Sequence, residues 1–336
     1  MKIFIISRGL PEEGSGLFEF DQAKALAEYG HDVTFIALDL RSIRHKRKLG
    51  IKNFEKYGMN IVKASVPLGA INKKLFCFIG ERILRMALKS AIEYCGKCSI
   101  IHAHFLENGY MALKAGKRVC PDIPIVVTEH SSTINKPIQE IDNNEKRIAY
   151  YTYSNASCLI AVSESLAKEI KENFNVNSRV VYNIIDLSLF KKSYISNEKR
   201  DIDFISVGNL TINKRMDLLI RCFCKAFGSN DDRRLVICGN GPEYNNLKKL
   251  VRDYNAEGNV ILTGKKTRAE IAGYLSRAKA FILLSERETF GVAFIEAMAA
   301  GLPVISTKSG GPECFIANNI GVLVEEDEAC IVESMI

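Results

Sequence analysis

Short apolar runs rich in β-branched residues alternate with helix-length segments along most of this chain, and no other feature restricts its fold as strongly. Parallel strands, buried on both faces, read as continuous apolar runs, whereas half-exposed strands alternate polar with apolar. The runs at residues 3–7, 33–38, 100–104, 125–128 and 158–162 are of the first kind. Between them, segments 18–29, 75–91, 109–115 and 143–157 carry helical spacing, and Ser163 with Glu164 marks a further helix start through a serine cap. From Asn183 to Arg200 the pattern loosens into polar loop. It then restarts, with runs at 204–207, 235–238, 260–263 and 281–284 separated by helical segments at 216–227, 242–254 and 268–276. Two such series predict an α/β protein of two parallel-sheet domains, residues 1–185 and 201–336, joined by a linker at 186–200. Open sheets of this kind bind ligands at the carboxyl ends of their strands, and a cleft between two of them is the expected ligand site.

The bulk properties exclude several classes. No apolar run approaches the ~20 residues that span a bilayer. The opening MKIFIIS has no small-residue cleavage site and reads as a first strand, so a cytoplasmic protein is expected. Of ten cysteines, Cys77, Cys158, Cys222, Cys224 and Cys238 lie inside apolar patterns, where free cysteine is at home. Cys95 and Cys98 form the only Cys-x-x-Cys pair, with no second pair at zinc spacing, so neither a metal nor a disulfide framework is expected.

The formal charge of +7 is unevenly placed: residues 41–90 hold thirteen Lys and Arg against two acids, Glu55 and Glu81, and the rest of the chain is net negative. Such asymmetry points to an anionic partner. Aromatic residues in that segment are few and not interleaved as stacking platforms, which argues against nucleic acid. Residues 73–89 instead mix Leu75, Phe76, Phe78, Ile79, Ile83, Leu84, Met86 and Leu88 with cations, the composition of an amphipathic helix at an anionic membrane surface. A docked helix with solvated lysines is the alternative.

Several constellations carry possible chemistry. In SERETFGVAFIEAMAAGLPVIS (residues 285–306), Glu288 stands in a polar turn after a strand, and a helix opens near Gly291 and closes at Gly301. Glu296 falls in the second turn of that helix, while Val292, Phe294 and Ile295 serve its buried faces. A carboxylate at a strand's end, followed by a glycine and a helix N-terminus, suits anions and sugars. In FISVGNLTINKRMDLLI (204–220), Lys214 lies between a buried strand and a helix, where ammonium and backbone amides together can hold a diphosphate. His130 follows a buried strand in VVTEHSS (126–132) and as a neutral imidazole could bond a hydroxyl. Gly14 and Gly16 sit in the first strand-to-helix loop without forming a full dinucleotide fingerprint, and no ribose-binding acid follows, which disfavours a nicotinamide dehydrogenase. His102 and His104 share one face of a strand and suit a core or hinge role, and Asp201-x-Asp203 reads as solvated charge rather than a metal motif.

The 285–306 string resembles the Glu-x7-Glu signature of glycosyltransferase family 4, retaining enzymes of the GT-B fold. The 204–220 string is similar to that family's phosphate-lysine segment, and VVYNIIDLSLF (180–190) is similar to its interdomain segment. The resemblance implies two Rossmann-like domains, with the nucleotide-sugar donor mainly on residues 200–336 and the acceptor mainly on 1–185. It implies that Lys214, Asn209 and the helix start at Gly291 hold the diphosphate, with Thr289 and Phe290 beside the donor and Gly264 near the base. Glu296 would bind the ribose, Glu288 the donor sugar, and His130 the reacting carbon from the other domain, with Gly14 and Gly16 approaching the phosphates. Many members carry arginine where this chain has Asn209, so the phosphate clamp loses a charge that Arg215 could partly restore. The family usually continues through further helices, so a missing C-terminal tail is expected after Ile336.

The reading is a retaining glycosyltransferase that moves a sugar from a nucleotide-diphosphate sugar, UDP favoured over GDP, to a glycan or lipid-linked acceptor in surface glycoconjugate synthesis. No cofactor and no metal are expected. A sugar-nucleotide epimerase of the same fold and a catalytically weak membrane-docking subunit are the rival readings. Product analysis separates the first, and donor turnover the second.

Overall fold

The computed structural model describes residues 1–11, 17–41, 48–68, 71–190, 200–228, 231–317 and 319–336. The chain forms two compact units, Met1–Ile184 and Ile185–Ile336. The first runs β1 (Lys2–Ser7), α1 (Leu17–Glu28), β2 (Asp32–Asp39), β3 (Gly50–Lys56), β4 (Met59–Ser65), α2 (Lys73–Cys95), β5 (Ile100–His104), α3 (Leu106–Val119), β6 (Ile125–Glu129), α4 (Asn143–Asn155), β7 (Cys158–Ala161), α5 (Glu164–Phe174) and β8 (Arg179–Val180). The second runs α6 (Leu187–Phe190), β9 (Ile202–Val207), α7 (Met216–Phe227), β10 (Leu235–Cys238), α8 (Tyr244–Asp253), β11 (Val260–Gly264), α9 (Arg268–Arg277), β12 (Ala278–Leu283), α10 (Val292–Ala299), β13 (Val304–Thr307), β14 (Gly321–Val324) and α11 (Glu328–Met335).

The second sheet has the order β11-β10-β9-β12-β13-β14 and is parallel throughout. Its order reverses direction at the junction of β9 and β12, the topological switch point where open α/β sheets bind ligands. The first sheet, β3-β4-β2-β1-β5-β6-β7-β8, has its corresponding junction between β1 and β5. Continuous apolar strands make these interiors: Phe4, Ile5 and Ile6 of β1 are fully buried, as are Phe281 and Ile282 of β12. Phe281 meets Phe294 of α10 edge to face at 5.2 Å, which anchors that helix under its own strand. Such a pair is worth about 1 kcal/mol beyond the area it buries.

Helix starts follow their capping chemistry. Ser163 accepts from the Leu166 amide at the head of α5, Asp142 accepts from the Asn144 and Glu145 amides at the head of α4, and Thr267 with Glu270 forms a capping box on α9. Each such cap satisfies a backbone donor that the helix leaves unpaired and contributes roughly 1 kcal/mol.

Three expectations need correction. First, residues 50–65 form the hairpin β3–β4, with β3 antiparallel to β4 and β4 parallel to β2, where only a basic connecting stretch was expected. Its lysines Lys52 and Lys63 interrupt the apolar run, yet Met59, Ile61, Val62 and Ala64 are buried. Second, the described part of the expected linker is structured. Asp186 accepts from the Ser188 amide at 3.0 Å, the short helix α6 follows, and Phe190 is 2% exposed in the core of the second unit. Third, much of the apolar content assigned to a membrane-facing helix is spent inside the unit. Cys77, Ile83, Leu84 and Leu88 of α2 are buried, and Leu75, Phe78 and Met86 remain exposed at 41%, 55% and 60%. Among the described residues no helix is long and apolar enough to cross a membrane.

Candidate functional site

In the second unit the loops after β9 and β12, the two strands at the switch point, are stitched to each other. The Glu286 amide donates to the Asn213 carbonyl at 2.8 Å, and Asn213 Nδ2 donates back to the Arg287 carbonyl at 2.9 Å. Lys214 closes a 3-10 turn, Ile212–Lys214, and its ammonium bonds the Glu288 carboxylate directly. Both side chains are largely buried, at 19% and 10% exposure. Ser285 Oγ donates to the same carboxylate oxygen, Oε1, at 2.8 Å. Asn209 is exposed at the start of the Lys214 loop. Arg215 does not supply the missing charge: it adopts a left-handed conformation (φ 47°) and its guanidinium is engaged by Glu326, with Asp217 at 3.9 Å.

Glu288 is also fixed through its backbone. Its amide donates to the Ser309 carbonyl at 2.8 Å, and its carbonyl accepts from the Gly311 amide at 2.9 Å. A Cβ at Gly311 would come within 2.5 Å of the Phe290 nitrogen, so only glycine permits this approach. Thr307 Oγ1 ties the segment further by donating to the Ser285 carbonyl at 2.7 Å. The supporting residues Ser309 and Gly311 went unnoticed in the sequence, although the run SGGPE (309–313) is a recognisable turn signal.

Thr289, Phe290 and Gly291 carry the chain from Glu288 into α10. Gly291 is the N-cap (φ 90°), and no side chain caps the helix start. The start of this eight-residue helix thus carries its partial positive charge without a capping side chain, shortly after Glu288 in sequence. One helical turn on, Glu296 Oε1 accepts from Arg268 Nη2 at 3.2 Å, and both side chains are mostly buried, at 11% and 14% exposure. Arg268 in turn lies over the Phe190 ring at 5.2 Å. Gly264 ends β11 with φ +72° and open space where a Cβ would stand.

In the first unit His130 follows β6 and is packed against Phe18 and Phe105, whose rings lie 4.7 and 4.9 Å from it. Its Nε2 shares a hydrogen bond of 2.9 Å with His104 Nδ1, and His102 Nε2 bonds Thr128 Oγ1 at 2.7 Å. Burial holds His104 and His130 well below the ordinary imidazole range and brings His102 down to about 4, so all three are neutral near pH 7. Glu129 lies beneath them, fully buried. It accepts from the His130 and Ser131 amides at 2.9 and 2.8 Å and from Tyr153 Oη at 2.7 Å. Burial nonetheless pushes its carboxyl up to about 7.

Around this cluster runs an ion-pair chain with no local spacing signature. Arg8 bonds Glu107 at 2.9 Å, Lys73 reaches Glu107 at 3.0 Å, and Lys73 also bonds Glu145. Burial raises the Glu107 carboxyl, but Arg8 and Lys73 outweigh it and hold the group below its ordinary value. Gly14 and Gly16 lie outside the described residues. Asp201 and Asp203 are occupied by Arg277 Nε at 2.8 Å and Lys279 at 2.8 Å, and among the described residues no group of three His, Cys, Asp or Glu is arranged to hold a metal.

Comparison with known proteins gives a consistent answer. Residues 14–189 match the family model described as Glycosyltransferase Family 4, and residues 190–333 match Glycosyl transferases group 1. The N-acetyl-alpha-D-glucosaminyl L-malate synthase of Bacillus anthracis is 27% identical over 93% of this chain and 80% of its own length. The GPI3 subunit of a phosphatidylinositol N-acetylglucosaminyltransferase from Saccharomyces cerevisiae is 21% identical, over 90% of this chain and 67% of its own length. Among solved structures, sucrose-phosphate synthase from Thermosynechococcus elongatus superposes with a TM-score of 0.81 at 20% identity, over all of this chain and 88% of that one. Anabaena HepE, solved in complex with UDP-glucose, superposes with a TM-score of 0.73 at 18% identity, over 100% of this chain and 88% of its own.

Proposed function

This chain belongs to glycosyltransferase family 4 and has the GT-B fold, and we propose that it transfers a sugar from a UDP-sugar, with retention of anomeric configuration, to a glycan or lipid-linked acceptor. The observation that carries the reading is the Lys214–Glu288 pair at the carboxyl ends of the two strands flanking the switch point. An ammonium beside the uncapped start of α10 suits a diphosphate, and the adjoining carboxylate suits sugar hydroxyls. The names of the two relatives above favour an N-acetylhexosamine as the sugar.

In the proposed reaction the acceptor oxygen bonds the anomeric carbon on the face from which the phosphate leaves. The carbon–oxygen bond to the β-phosphate breaks with its electron pair passing to the phosphate, and the acceptor's proton goes to that phosphate oxygen. Lys214 and the α10 amides stabilise the departing charge, Glu288 orients the sugar and Glu296 the ribose. His130, in the first unit, is held neutral, so a hydrogen bond it makes carries no charge. The test is turnover of UDP-N-acetylglucosamine, with the product's anomeric configuration read by proton NMR. An α-linked product and a loss of about 10²–10³ in Lys214→Ala are expected. A β-linked product, or undiminished turnover in the variant, would overturn the reading.

A second reading concerns location. Leu75, Phe78 and Met86 share the outer face of α2 with Lys74, Arg82 and Lys89. We propose that this face rests on an anionic bilayer, where a lipid-linked acceptor would be met.

A further inference from the structure

We infer that Glu288 competes with the donor's diphosphate for Lys214 and so acts as a product-release device, one that makes the site hold a nucleotide sugar better than the spent nucleotide. The inference rests on the donor-site reading above and adds a direction to it. Lys214 Nζ is bonded to Glu288 in a pocket where neither side chain is more than 19% exposed. A lysine that neutralises a phosphate must give up that partner or share it.

Which partner moves follows from how each is held. Glu288 is fastened by its amide to Ser309, by its carbonyl to Gly311 and by its carboxylate to Ser285. Gly311 itself is pressed against Phe290, closing off the backbone's freedom. Lys214 extends on a flexible four-carbon stem from a short turn. The lysine therefore swings while the carboxylate stays. A buried carboxylate deprived of its cation is costly unless donors replace it. Sugar hydroxyls, reaching Glu288 from an intact donor, are such replacements; a bare nucleoside diphosphate lacks that sugar, and its ribose hydroxyls are assigned to Glu296. Once the sugar has been transferred, Glu288 draws Lys214 back and the phosphate loses its cation.

The experiment is calorimetric titration of the whole chain with UDP and with UDP-N-acetylglucosamine, for wild type, Glu288→Gln, Glu288→Asp, Lys214→Ala and the double variant Lys214→Ala/Glu288→Gln. Removing or withdrawing the carboxylate frees Lys214 for phosphate, so Glu288→Gln and Glu288→Asp are each expected to bind UDP about tenfold more tightly than wild type. The gain should vanish in the Lys214→Ala background, and the UDP-sugar should gain less than UDP does. Either folded variant binding UDP no more tightly than wild type would overturn the inference. Lys214→Ala binding every nucleotide as wild type does would instead remove the donor-site reading beneath it.

Discussion

Arg268, the first residue of α9, donates to Glu296 of α10 at 3.2 Å, and the two side chains are almost equally withdrawn from water. Breaking a buried pair of this kind leaves an uncompensated charge, so the arginine holds the carboxylate in place. Arg268 thus positions the Glu296 carboxylate.

Replacing that arginine should cost stability and affinity together. Arg268→Gln is expected to lose about 3 kcal/mol, the lower end for breaking a buried ion pair. Urea denaturation reads the stability, and calorimetric titration with UDP reads the affinity. A merely structural Arg268 would leave the UDP affinity of the folded variant unchanged.

Asn209 offers the opposite experiment. It is exposed at the start of the Lys214 loop, and Arg215 is engaged by Glu326. Asn209→Arg adds a bidentate cation where the phosphate is expected and should tighten UDP binding about tenfold, more at low salt than at high. Equal affinities at every ionic strength would show that the diphosphate does not lie beside residue 209.

The first unit should show a stability optimum in pH. His102, His104 and His130 have depressed pKa values, so the unfolded chain takes up protons that the folded one refuses, and stability rises with pH until it passes the ordinary histidine value near 6.5. Glu19 and Glu129 run the other way. Their carboxyls are pushed up from 4.5 to about 7, chiefly by burial, so their contribution is complete below 4.5 and lost as pH climbs through 7. Three rising groups outnumber two falling ones up to about pH 6.5, and beyond it only the fall remains. Urea denaturation between pH 5 and 8 checks the optimum, and Glu129→Gln should flatten its alkaline side.

Membrane contact has its own reporter. Phe78→Ser with Met86→Ser removes two exposed apolar side chains from α2 while leaving the buried Ile83, Leu84 and Leu88 in place. Sedimentation with vesicles containing an anionic phospholipid should fall by about tenfold or more, since each fully inserted apolar side chain contributes roughly 1.5–3 kcal/mol. Unchanged sedimentation would mean that α2 is simply a docked helix.

Most of the fold could be read in the sequence because it rests on local pattern. The strands at 204–207 and 235–238 and the helix at 216–227 are continuous apolar or 3.6-periodic segments, and the structure has elements there. The hairpin β3–β4 escaped because Lys52 and Lys63 break its apolar run, and the strands are stabilised by pairing with each other and with β2 rather than by their own pattern. The candidate site could be read only in part. Lys214 and Glu288 are conspicuous within their motifs, but their direct bond spans 74 positions. Arg268 reaches Glu296 across 28 positions and Arg8 reaches Glu107 across 99, so no spacing rule could announce either pair.

The hairpin also bears on how this protein tolerates its own company. An open sheet ends in a row of unpaired backbone donors and acceptors that invites a second sheet to add on. Here one edge of the larger sheet is β3, antiparallel to its neighbour, with Lys52 and Glu55 exposed and Lys56 half-buried along it. Charged side chains along such an edge disfavour the addition of a second sheet. Part of the charge crowded into residues 41–90 therefore guards this edge against pairing with a second copy of the chain.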